Sequence, residues 1–152
     1  MRAAGQQMSR RFMRYVLSGL MRKALTLGAV YFAIVFAAAF ALGIVRTFVV
    51  TPVTGPLIAV LLEVPLVVGG SWLVARHLLR HRQTGVIQCA TMGGFAFGLL
   101  MIAECTLAVV VFGQSASAWA SALFTPIGLI GLSAQIVFGL IPLLARQAPA
   151  QG

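Results

Sequence analysis

Residues 57–75 read LIAVLLEVPLVVGGSWLVA, nineteen positions with one charge, and that charge is the carboxylate of Glu63. Wound as a helix at about 1.5 Å per residue, such a run matches the ~30 Å hydrocarbon core of a bilayer. An ionisable group inside it is costly, on the order of 2.5–3.5 kcal/mol for charged residues on insertion scales. Three further apolar runs of spanning length occupy 24–50, 86–112 and 122–145. The third span, 86–112, carries Glu104, and these two glutamates are the only acidic residues among 152. Every acid of the chain thus falls inside a span.

The composition agrees. With 61% hydrophobic and only 9% charged residues, a soluble domain of this size could not cover its surface. The formal charge of +9 would point to nucleic acid in a soluble protein, but here the cations flank apolar runs. Anionic lipid headgroups on the cytoplasmic side are therefore the expected partners, and nucleic acid is not.

Ten of the eleven cations fall on one side of a four-span topology. Arg2, Arg10, Arg11, Arg14, Arg22 and Lys23 precede the first span, Arg76, Arg80 and Arg82 lie between the second and third, and Arg146 follows the fourth. The positive-inside rule makes that side cytoplasmic, with both termini on it. The links at 51–56, 76–85 and 114–121 are short, which favours antiparallel neighbours. The expected fold is an all-α integral membrane protein, an up-down four-helix transmembrane bundle. A basic cytoplasmic or interfacial segment (1–23) precedes the transmembrane domain (24–146), and a disordered tail (147–152) follows it. Within the basic segment, residues 8–23 read as an interfacial anchor.

Depth arithmetic brings the polar residues together. Glu63 lies about six residues into span two and Glu104 about eight residues from the outer end of span three. Both carboxyls then sit roughly 9–12 Å below the outer boundary. Arg46, the eleventh cation, closes span one at that level and can reach inward. A guanidinium can grip a carboxylate with two prongs. The second acid then shares a proton or stays protonated, because two like charges oppose joint ionisation. Gln135 of span four, near the mid-plane, adds a fourth polar group, flanked by Gly131 and Gly139; Gly94 and Gly98 repeat that small-residue spacing on span three. Arg46, Glu63, Glu104 and Gln135 are the candidate polar cluster, for binding or proton handling.

Other features are read more plainly. His77 and His81 stand four apart, a metal-ligand spacing, but Arg76, Arg80 and Arg82 interleave them and oppose a cation. The five form a headgroup-binding collar, and no metal or cofactor is expected. Cys89 and Cys105 are about 24 Å apart on one helix, beyond disulfide reach. The halves echo each other faintly: Thr51-Pro52-Val53 and Thr125-Pro126-Ile127 open the second and fourth spans, and Glu63-Val64 aligns with Gln135-Ile136. That suggests a parallel two-fold repeat about the membrane normal.

Gly43-Ile44-Val45-Arg46, Pro52 and Leu62-Glu63-Val64-Pro65, followed by Ala103-Glu104, Thr125-Pro126 and Gln135, resemble small four-span bacterial inner-membrane proteins that carry no agreed activity. The resemblance covers most of residues 30–145. It implies the fold and the bacterial inner membrane, and assigns no residue a role.

No arrangement of an enzyme is present: no phosphate loop, no zinc-type cluster, no serine–histidine–acid set that topology would unite. The expected function is a structural, assembly or partner-binding membrane subunit, with a homo-oligomer or another membrane protein as partner. The alternative is a small oligomeric proton-coupled transporter or channel-like protein using Glu63 and Glu104. The two differ physically: the first needs a dry, satisfied cluster, the second a water-accessible cavity.

Overall fold

A computed structural model of the chain describes residues 2–82 and 84–146, with side-chain surroundings from Ser18 onward. The tail at 147–152 and the side chains of the basic residues before Ser18 lie outside that description. Among the described residues there is helix and no strand. The elements are α1 (Arg2–Val45), a π-helical turn (Arg46–Val50), the single turn α2 (Thr51–Thr54), α3 (Pro56–Leu79), α4 (Val86–Thr106), a second π-helical turn (Leu107–Val111), α5 (Ala116–Ala122) and α6 (Pro126–Leu144). Four helical stretches are long and apolar enough to cross a membrane: Ser18–Thr54, Pro56–Leu79, Val86–Val111 and Pro126–Leu144. The outward surface is built of large apolar side chains such as Leu73, Ile102 and Leu144, each more than 60% exposed, as suits a bundle whose solvent is lipid.

Local chemistry sets the boundaries. Gly55, at φ +81°, is the only residue between α2 and α3; that left-handed backbone reverses the chain in one step. The fourth span starts four residues later than expected from hydropathy. Thr125 caps it, its Oγ1 accepting from the Gly128 amide at 3.1 Å, and Pro126 follows at the first helical position. The second span runs on to Leu79, past the apolar run, because Arg76 and His77 suit a helix C-terminus. The basic N-terminal residues continue into span one as one helix, α1, with no separate element between them.

The packing order departs from the expectation for short links. α1 packs against α3 and α4, and α6 packs against the same two. α3 and α4, consecutive in sequence, face each other across the bundle. The neighbours α1 and α4 run parallel, as do α3 and α6. A two-fold axis along the bundle would instead place α1 opposite α4 and α3 opposite α6, so the expected repeat finds no support in this packing.

The two ends of the bundle are built differently. Toward the end carrying the α3–α4 link, small residues let the backbones close in. A Cβ on Gly93 would lie 1.9 Å from the Gly139 carbonyl oxygen, and one on Gly28 2.7 Å from the Met92 carbonyl oxygen. Gly94, Gly98 and Gly131, the other members of the expected spacing, face open space. Tyr31, Ala75, Leu79, Met92, Ala96 and Ile141 fill this half as a buried core. Toward the other end, the helices stand apart.

Candidate functional site

The parting of the helices at that end encloses a cavity of about 420 Å³ between α1, α3, α4 and α6. Its floor includes the buried Val35 and Phe138, and its rim includes Phe48 and Phe112, each more than 70% exposed. The cavity therefore reaches the surface both at the α2–α3 end and along α1 at Phe40 and Ile44, and extends down to the core. Arg46, Glu63, Glu104 and Gln135 all line it.

The four residues form two pairs. An Arg46 guanidinium nitrogen lies 3.1 Å from Glu63 Oε2, with the arginine side chain 35% and the glutamate side chain 16% exposed. Gln135 Nε2 donates to both carboxylate oxygens of Glu104, at 2.6 and 2.7 Å. Arg46 also lies within electrostatic reach of Glu104. The expected single cluster is thus one ion pair within the α1–α3 half and one amide–carboxylate pair within the α4–α6 half, facing a shared space. Among the described residues, two side-chain polar atoms are buried without a hydrogen-bond partner: Arg46 Nε and Gln135 Oε1.

Backbone geometry explains how Arg46 comes to be there. It opens the π-helical turn, in which the Thr51 amide donates to the Arg46 carbonyl, five residues back. Pro52 follows at once and has no amide to give an α-helical bond. The widened register adjusts the helix just before the proline, and π-turns of this kind recur at functional sites. α4 ends at the same level in the second π-turn, where the Phe112 amide donates to the Leu107 carbonyl at 3.2 Å. Glu63 of α3 lies beside Gly43 of α1, where a Cβ would make ordinary contact with Oε1 at 3.7 Å.

Comparison with protein-family models, with curated proteins and with solved structures finds no match for this chain. The site must therefore be read from its own chemistry.

One supporting residue has a signal in the sequence that hydropathy does not register. Tyr31 is fully buried, stacks on Phe138 with centroids 4.7 Å apart, and donates its hydroxyl to the Phe138 carbonyl at 3.0 Å. That carbonyl needs an outside donor because its α-helical partner would be the amide of residue 142, and residue 142 is proline. A proline late in a span, with a tyrosine inside another span, is the readable pattern. The bond ties α1 to α6 across the bundle directly beneath the cavity.

The remaining candidates lie elsewhere. Arg76, His77, Arg80, His81 and Arg82 are exposed at the opposite end of the bundle from the cavity, where Arg80 Nε donates to His81 Nε2 at 2.6 Å. Cys89 is buried in the core and Cys105 half-buried, both as free thiols.

Proposed function

We infer that this is a multi-pass protein of the bacterial inner membrane whose cavity takes up a small solute from the outer side and handles protons through Glu63 and Glu104. The observation that carries this reading is the cavity itself. Its volume falls in the range of small-molecule sites, it is mostly apolar with a few convergent polar groups, and it reaches the surface. A cluster serving only to lock helices together would be packed dry. Arg22, Lys23, Arg80 and Arg82 gather at the opposite end; the positive-inside rule makes that end, and both termini, cytoplasmic. The cavity then opens outward. The basic collar of Arg76, His77, Arg80, His81 and Arg82 holds anionic headgroups on the inner face.

Reconstitution in proteoliposomes containing a pH-sensitive dye tests the reading. An imposed pH gradient decays faster with the protein than without it, and Glu104→Gln or Glu63→Gln lowers that excess rate at least tenfold. Equal rates for wild type and both variants would remove the transport reading.

The assembly reading draws on a different observation, that each acid already has a partner. In that case the pairs serve as helix–helix glue, with a second copy or another membrane protein docked on the bundle. It expects no excess flux, and its signature is reduced thermal stability or loss of a co-purifying partner in the Gln variants.

A further inference from the structure

We propose that the cavity binds an organic ammonium ion, a protonated amine carried on an aromatic or alkyl body. This deepens the solute-binding reading above and rests on it. Three observations converge.

The first is charge. The cavity holds one guanidinium and two carboxyls, and the guanidinium is engaged by Glu63 at 3.1 Å. Glu104 is held by a neutral amide. An acid in an apolar surround without a cation of its own takes up either a proton or a cationic ligand. The site is therefore short of one positive charge, located at Glu104.

The second is the lining. Six phenylalanines face the cavity: Phe32, Phe36 and Phe40 on α1, with Phe48, Phe112 and Phe138. Phe32 and Phe36 stack with centroids 5.1 Å apart, and Phe36 and Phe40 continue the row at 6.1 Å. These rings make an apolar, polarisable wall that accepts the body of the ligand. An inorganic cation would leave most of this lining unused.

The third is hydrogen bonding. Gln135 lines the cavity, and its Oε1 is a buried acceptor without a donor. Its Nε2 is committed to Glu104, so the amide oxygen is left as an acceptor that no donor among the described residues satisfies. A protonated amine has N–H groups for both the carboxylate and this oxygen; a quaternary ammonium has none.

Binding is measured by isothermal titration on the protein in lipid nanodiscs with three probes of one shape: phenethylammonium, phenethyl alcohol and 3-phenylpropionate. The ammonium is expected to bind at least tenfold more tightly than either other probe. Glu104→Gln is expected to abolish that preference and Glu104→Asp to retain it. Preference for the carboxylate would overturn the proposal and assign the site to Arg46. Ammonium binding unchanged in Glu104→Gln would overturn it as mere partitioning. If Glu104→Gln does not fold, the wild-type preference among the three probes decides. Absence of binding by every probe also overturns it, and a cysteine at Ala134 then separates two cases. Labelling of that thiol from water leaves the solute-binding reading standing, whereas a protected thiol removes both.

Discussion

Removing the Tyr31 hydroxyl while keeping its ring tests how the closed half of the bundle supports the cavity floor. In Tyr31→Phe the stacking on Phe138 at 4.7 Å is retained, and Ser71 keeps its own bond to the Val67 carbonyl. What is lost is the hydroxyl's contact with Ser71 and, chiefly, its 3.0 Å bond to the Phe138 carbonyl, which Pro142 leaves without its α-helical donor. A buried carbonyl left without a hydrogen-bond partner costs about 1–3 kcal/mol. Side-chain hydrogen bonds within membranes average about 0.6 kcal/mol and reach about 1.7. The expected loss is therefore about 1–2 kcal/mol. Pro142→Ala returns an amide to position 142 and gives that carbonyl a donor within α6. In the Pro142→Ala background the same Tyr31→Phe change should cost less than about 0.5 kcal/mol, a coupling that a double-mutant cycle isolates. Unfolding in mixed micelles with increasing sodium dodecyl sulfate, followed by fluorescence of Trp72 and Trp119, supplies the four free energies. An equal cost in both backgrounds would refute the assignment of the hydroxyl to the carbonyl that the proline orphans.

Two further outcomes are expected from the packing and the pairs. Gly93→Ala drives a methyl against the Gly139 backbone and should cost about 1–3 kcal/mol, the usual range for overpacking. Gly94→Ala, one residue on and facing open space, should be neutral or gain up to about 1 kcal/mol of helix propensity; thermal unfolding in detergent compares them. Arg46→Gln leaves the Glu63 carboxylate without its cation and should lower the melting temperature. The double variant Arg46→Gln with Glu63→Gln should recover most of the loss, because the penalty comes from the uncompensated acid rather than the missing bond. A double variant no more stable than Arg46→Gln would count against the pair.

The spans were legible because length and hydropathy are properties of a single segment. So was the common level of Arg46, Glu63 and Glu104 along the bundle, which follows from rise per residue; Gln135, expected near the mid-plane, instead sits level with Glu104, because its helix begins four residues later than the apolar run. Partner choice was not legible. Whether Arg46 meets Glu63 or Glu104 depends on how each helix is rotated about its axis, and a proline-adjacent π-turn resets that rotation for α1. The same limit separates Gly93 from Gly94: one residue is about 100° around a helix, so the close contact fell on the neighbour of the expected glycine. The ring order was hidden too, since the link between α3 and α4 reaches across the bundle, where a short link suggests adjacency. Tyr31 was readable in principle, through the carbonyl that Pro142 leaves bare, but hydropathy alone does not weigh a missing amide.

The account turns on water reaching the paired acids from the outer face. Ala134 lines the cavity, whereas Ala96 is fully buried in the core. In a Cys105→Ser background, with Cys89 sheltered in the core, a membrane-impermeant maleimide is applied to spheroplasts carrying Ala134→Cys or Ala96→Cys. Rapid modification at 134 and none at 96 is the expected result. Protection of both thiols until the protein is unfolded would contradict it, and the two pairs would then be dry ties between helices.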